Sequence, residues 1–239
     1  MLRLTDARTG RLEEVRPPRP RRLRVDVATP GADPGALRVG VVADLLRRAG
    51  EQHAVSVRLV RSGPGPDLTR DLSALNARPA EDPLAGRADV LVLPAGGPYP
   101  PDAPLVLACG PVRGGAGLAD LLADGRDPLA VRLALLAAVP GAPADLSPER
   151  LAAADADLAA WRERVAGWAE QPSAAIEAGY RRDLLDAFDD DLDTPRALAV
   201  LRLLADDDGV PPGGRFETAA WADRLLGLDL ARDVGRPRA

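Results

Sequence analysis

The sequence predicts an α/β layer over residues 1–117 followed by an all-α helical bundle over residues 118–239. Three observations carry that prediction. Short apolar runs separated by Gly-rich returns fill the first part, with one helix-length segment between them. From Leu118 onward, apolar residues recur at helical spacing and the breaks fall at proline and glycine. Hydrophobic residues make up 46% of the chain but aromatics only 3%, a balance that suits Ala/Leu helix packing better than an aromatic-rich β-sandwich.

Each element follows in order. Leu2–Thr5 and Leu12–Val15 read as a strand pair around a turn at Arg8, Thr9 and Gly10. A Pro-rich basic connector runs from Pro17 to Arg22, and Leu23–Ala28 then alternates apolar and polar residues as a strand. Leu37–Gly50 has helical spacing through Val41, Val42, Leu45 and Leu46 and closes on glycine. Val55–Val60 is a second strand and Leu72–Asn76 a short helix. Asp89–Leu93 and Leu105–Ala108 are apolar runs of the kind found in buried parallel strands. Strand, helix, strand, helix, strand is the succession of a doubly wound layer, here a shortened Rossmann-like parallel sheet.

The second part predicts helices over Leu118–Ala123, Pro128–Ala138, Pro148–Ala169, Ala174–Asp190, Pro195–Ala205 and Glu217–Leu226. Ser147 before Pro148 is a clean helix start, and Thr194 before Pro195 reads as the cap of a later one. The expected core of this part is Leu133, Leu136, Leu158, Trp161, Val165, Leu184, Phe188, Leu198, Leu201 and Leu204.

Composition excludes several classes. The net charge of −5 provides no global field for nucleic acid, so any RNA contact needs a local basic face. Arg19, Arg21 and Arg22, flanked by Arg16 and Arg24, are the candidates for such a face. No apolar run approaches the ~20 residues of a membrane span, and the N-terminus has no signal-peptide core, so a cytoplasmic protein without a membrane partner is expected. A single cysteine, Cys109, excludes an intramolecular disulfide and a cysteine-rich zinc site. All 31 basic residues are arginine, so no lysine is present to hold a phosphate, form a Schiff base or act as a general base.

Several stretches, in order, resemble the cysteinyl-tRNA synthetase family of class I aminoacyl-tRNA synthetases. The run from Asp183 to Leu204, with Asp189, Asp190, Asp191 and Asp193 ahead of Thr194 and Pro195, is similar to the phrase that joins two helices of its helical domain. The opening from Leu2 to Arg11 is similar to the family's N-terminal strand pair. Asp33-Pro34-Gly35-Ala36-Leu37-Arg38 resembles its His-x-Gly-His entry into the nucleotide-binding helix. Leu118 to Leu136 resembles the passage after its signature lysine loop, and residues 128–207 its tRNA-stem-supporting helical domain. The resemblance implies a Rossmann-like fold, tRNA as a partner, and a nucleotide site to which Gly35, Arg38 and Arg113 would contribute.

The departures are chemical. Asp33 and Ala36 stand where the family's two histidines meet ATP phosphates, so one position is acidic and the other has no side-chain donor. The lysine loop is replaced by Gly110 to Gly115 with Arg113 alone. The family's zinc needs two cysteines, a histidine and a glutamate, whereas this chain offers only Cys109 and His53, so no metal and no cofactor are expected. No catalytic residue is assigned.

His53, after a helix C-terminus, reads as a surface histidine; Cys109, with no nearby base, reads as a buried filler. The acidic run reads as a solvated linker that helps cap a helix rather than a cation site. The glycine loops at Gly96–Gly97 and Gly114–Gly117 match no P-loop spacing. The function expected is a degenerate paralogue that has lost amino-acid activation and binds tRNA, a protein or the true synthetase. The alternative is a small ligase or transferase repurposing the residual nucleotide crevice. Mycothiol-ligase-like chemistry has the same histidine and zinc requirements and meets the same gaps.

Overall fold

The computed structural model describes residues 1–17, 21–83, 85–99, 105–115, 117–122 and 125–236. An antiparallel hairpin opens the chain, β1 (Arg3–Asp6) against β2 (Arg11–Glu14), with Arg3 opposite Glu14. Four parallel strands follow: β3 (Arg22–Val27), β4 (Ser56–Arg61), β5 (Val90–Pro94) and β6 (Val106–Cys109). Their spatial order is β4-β3-β5-β6, so sequence order reverses between β3 and β5, a topological switch point. This is the shortened Rossmann-like sheet that the apolar runs predict, with every strand end within one residue of its expected position.

Helix α1 (Pro34–Gln52) starts three residues before the expected Leu37. Asp33 caps it, and Pro34 takes a first-turn position whose N–H has no intrahelical partner to lose. Almost the whole helix is buried, because the sheet packs on one side and later helices on the other. Helix α2 (Thr69–Ala74) is short and packs on α1. In β3, Leu23, Val25 and Val27 are buried while Arg24 and Asp26 are half-buried and paired at 2.7 Å, so this part of the sheet has one fully covered face.

A two-stranded ribbon links the sheet to the helices: β7 (Val112–Arg113) runs parallel to β8 (Ala144–Asp145). Both strands are too short to leave a periodic signal. Between them lie α3 (Leu118–Leu121) and α4 (Pro128–Leu136); after them come α5 (Pro148–Ala169), α6 (Ala178–Asp189), α7 (Thr194–Asp206) and α8 (Pro212–Leu226). Helix α5 has the predicted bounds, capped by Ser147. Helix α8 starts earlier than expected, since the prolines at 211 and 212 occupy its cap and first position rather than ending a loop. All ten expected core residues of this part are buried. They belong to one apolar cluster that also includes the sheet and α1.

The acidic run is not a free linker. Asp193, not Thr194, caps α7 by accepting from the Arg196 amide at 3.0 Å, and Thr194 is buried with its hydroxyl on the Leu136 carbonyl at 2.7 Å. Asp190 pairs with Arg3 at 2.8 Å. Asp191 accepts from both the amide and the hydroxyl of Thr5, at 2.7 and 2.8 Å. Asp189 meets His53 Nε2 at 2.6 Å, which leaves that histidine half-buried rather than on the open surface. The run therefore ties the N-terminal hairpin and the end of α1 to the helical part. Among the described residues, no helix is long and apolar enough to cross a membrane.

Candidate functional site

The carboxyl ends of the parallel strands and the N-terminus of α1 form the place where a Rossmann-like layer binds phosphates. Here the first turn of α1 carries its own cap. Asp33 adopts extended backbone and its Oδ1 accepts from the Ala36 amide at 2.9 Å. A carboxylate of the chain itself thus occupies the positive end of the helix dipole. Gly35 is half-buried in that first turn.

Arg38, one turn further, is 1% exposed. Its Nη1 donates to the carbonyls of Gly110 at 2.9 Å and Pro111 at 3.3 Å, and its Nη2 to the carbonyl of Val139 at 2.8 Å. Burial lowers its pKa, and Nε has no partner among the described residues. The guanidinium clamps the turn after β6 to the turn after α4. Gly110 is required there, because a Cβ would sit 2.3 Å from the Ala142 carbonyl oxygen. Its neighbour Cys109 is 2% exposed, and burial pushes the thiol up to about 12, which leaves no useful thiolate at neutral pH.

Arg113 lies in β7, exposed, with no side-chain partner among the described residues. Arg58 on the outer strand β4 pairs with Glu81 at 2.6 Å. Arg58 thus lies on an edge strand of the four-stranded sheet, Arg113 in the separate ribbon that follows β6, and Arg38 is buried under backbone carbonyls. The structure does not bring the three into one crevice.

Of the basic candidates, Arg19 lies outside the described residues. Arg21 and Arg22 are exposed at the amino end of β3, the opposite end of the sheet from Gly35 and Arg38. Their flanking neighbours are already paired, Arg16 with Glu14 and Arg24 with Asp26. Among the described residues no group of three or more His, Cys, Asp or Glu side chains converges as metal ligands.

Sequence reasoning missed the most heavily charged place in the interior. Asp44 on α1 is fully buried, and Arg132 on α4 donates Nη2 to its Oδ2 at 3.0 Å. Arg47 and Arg48 reach the same carboxylate, each at 2.7 Å. Burial pushes the Asp44 carboxyl up, yet the three guanidiniums together hold it below the ordinary carboxylate range. Burial, partly offset by Asp44, brings Arg132 down to about 10. Arg132 Nε and Arg48 Nη1 donate to the carbonyls of Leu226 and Arg224, at 2.6 and 3.0 Å, at the end of α8. Arg132 Nη1 donates to the carbonyls of Leu75 and Asn76, and Arg48 Nη2 to that of Asn76, just after α2. Gly227 follows with φ 68°, and a Cβ there would lie 3.0 Å from both guanidinium carbons. A hydropathy reading places Asp44 and Arg132 on opposite helices with nothing to connect them, so no signal in the sequence marks the pair.

Fold and site together describe a Rossmann-like layer with a helical bundle, in which Asp33 caps α1 and Arg38 is committed to backbone carbonyls. No family model matches the chain. It is similar in part to cysteine ligases, proteins named L-cysteine:1D-myo-inositol 2-amino-2-deoxy-alpha-D-glucopyranoside ligase. With that of Acidothermus cellulolyticus it shares 38% identity over 113 residues, 47% of this chain and 27% of the ligase. With that of Thermobispora bispora the figures are 39% over 104 residues, 44% and 25%, and with that of Thermomonospora curvata 39% over 115 residues, 46% and 27%. The matched part thus spans about a quarter of the length of these curated relatives.

Proposed function

We propose that this chain is a cysteine-ligase-like protein, akin also to cysteinyl-tRNA synthetases, that no longer activates an amino acid and acts as a binding or assembly module. The observation that carries the reading is that Asp33 and Arg38, the groups nearest the start of α1, are committed to partners within the chain. Asp33 takes the α1 terminus and Arg38 spends its donors on three carbonyls. Preorganised donors aimed at developing charge are what adenylate chemistry requires, and losing each costs about 2.7–4 kcal/mol of transition-state stabilisation. The catalytic alternative needs an arginine-lined crevice; the separation of Arg58 from Arg113 argues against it.

The test has two arms. ATP–pyrophosphate exchange with L-cysteine is expected at background, and exchange at even roughly a thousandth of an ordinary synthetase's rate would overturn the reading. Filter retention of tRNA at low salt assigns the partner. If tRNA is the partner, retention should fall with a log–log salt slope of roughly −3 to −4 for about four phosphates. Replacing Arg21 and Arg22 with Glu should then abolish it. No retention at low salt assigns the module to a protein partner instead.

A further inference from the structure

A cavity of about 530 Å³ opens beside the carboxyl ends of β3 and β4, on the α2 side of the sheet. Its size lies within the range of small-molecule sites. The floor is apolar, made by Val27, Leu59, Leu68 and Leu72, and the rim is polar.

The rim groups divide into engaged carboxylates and free donors. Glu81 is held by Arg58, at 2.6 Å, and Asp82 by Arg61 at the same distance. The Asp67 carboxylate accepts from the Thr69 amide at 2.9 Å, and hydrogen bonds from Thr69 hold it below the usual carboxylate range. Two donors remain. The Thr29 side chain is only 8% exposed, lines the cavity, and has no hydrogen-bond partner among the described residues. Arg78, exposed, also lines the cavity; its guanidinium has no partner among the described residues, while its backbone amide is fixed on Asp44 at 3.1 Å. The Thr29 hydroxyl, not spent on another group among the described residues, can donate to a group in the cavity. Arg61 is hydrogen-bonded to Asp82, an 89% exposed side chain whose pairing is weak, and its charge also acts on Asp67 at the rim, so it too can turn inward.

We propose that this cavity binds a small organic anion with a short apolar body. The anionic group, a carboxylate or a phosphate ester, meets Arg78 and Arg61; the Thr29 hydroxyl donates to the same group; the apolar body lies on Leu59, Leu68 and Leu72. This site does not depend on the binding-module reading, because its lining includes neither Arg21 nor Arg22.

The test is an amide-resolved NMR titration of the full chain with four probes: hexanoate, butyl phosphate, inorganic phosphate and hexylammonium. Hexanoate or butyl phosphate is expected to shift the amides around Thr29, Arg61 and Arg78 in the millimolar range or tighter. Binding of hexanoate alone, or of butyl phosphate alone, assigns the carboxylate or the ester. Arg78→Gln, at an exposed side chain whose backbone contact persists, should weaken binding by about tenfold or more without changing thermal unfolding. Thr29→Val should weaken it by a few-fold at unchanged volume. Shifts from neither organic anion, or unchanged affinity in both variants, would overturn the proposal. Inorganic phosphate bound as tightly as butyl phosphate would remove the role of the apolar floor, and hexylammonium preferred over hexanoate would reverse the charge; either result overturns it too.

Discussion

The interior of the helical part and the seam where α1 meets α4 and α8 are both fully buried, yet they are built on opposite principles. The bundle interior is apolar: Leu158, Val165, Leu184, Leu201 and Leu204 are at most 1% exposed and have no polar atom to satisfy. The seam is ionic: Asp44 and Arg132 are at 0% exposure, with Arg47 and Arg48 converging on the same carboxylate. A wrongly sized residue costs the first region contacts. A missing partner costs the second a desolvated charge. The lesson is that apolar packing tolerates revision position by position, whereas the seam must be changed as a set or not at all.

Leu201→Asp should be the most damaging change, placing an unpaired carboxylate at 0% exposure; loss of the cooperative denaturant transition is the expected outcome. Survival of that transition would mean the bundle interior is wetter than its packing implies.

Arg132→Met should come next, at about 3–5 kcal/mol, because it strips Asp44 of its deepest partner and orphans the Leu226 carbonyl. The double variant Arg132→Met with Asp44→Leu should recover much of that loss, as paired buried charges are often replaceable by apolar residues together. The same logic sharpens the division proposed at residue 118. The segment 118–239 expressed alone keeps its apolar core but leaves Arg132 without Asp44. It is expected to show helix by circular dichroism, to unfold at lower denaturant than the full chain, and to gain stability from Arg132→Met.

A smaller effect is expected from acid. Asp44 has a folded pKa below its unfolded value of about 3.9, so its contribution is fully present above that pH and drains away as the pH falls through the lower folded value. Asp223 has the opposite sign: burial raises its pKa despite hydrogen bonds from the Leu228 and Leu230 amides, so it weakens the fold near neutrality and the strain relaxes on protonation. Denaturant midpoints followed from pH 7 to pH 3 should fall for the natural chain. The Asp44→Asn variant should start lower and fall less steeply. An identical slope in both would show that Asp44 is not the group being titrated.

Leu203→Ser should do least. Leu203 is two residues from Leu201 on α7 but 65% exposed, so a change within about 0.5 kcal/mol is expected in equilibrium unfolding. A larger loss would mean that Leu203 is covered in the protein's working assembly.

Much of the fold was legible in the sequence. Apolar runs of four to six residues marked the parallel strands, and Ser147 with Pro148 marked α5 at its observed start. Less of the site was legible. Arg38 could be read as a helix-borne cation, but not as one sealed under the carbonyls of Gly110, Pro111 and Val139, which lie far along the chain. The cap of α7 moved from Thr194 to Asp193 because the Leu136 carbonyl claimed the threonine hydroxyl.

The sequence by itself determined the order and kind of the elements, the membership of the bundle core, and the lack of histidines and lysines where phosphate chemistry would need them. Those properties rest on local periodicity and on residue identity, which a linear reading contains. Only the tertiary structure decided which charges are buried and what they pair with. Asp44 with Arg132, Asp191 with Thr5 and His53 with Asp189 are separated by 88, 186 and 136 positions. A charge can be buried only where folding delivers its partner, and no local pattern encodes a partner that far away.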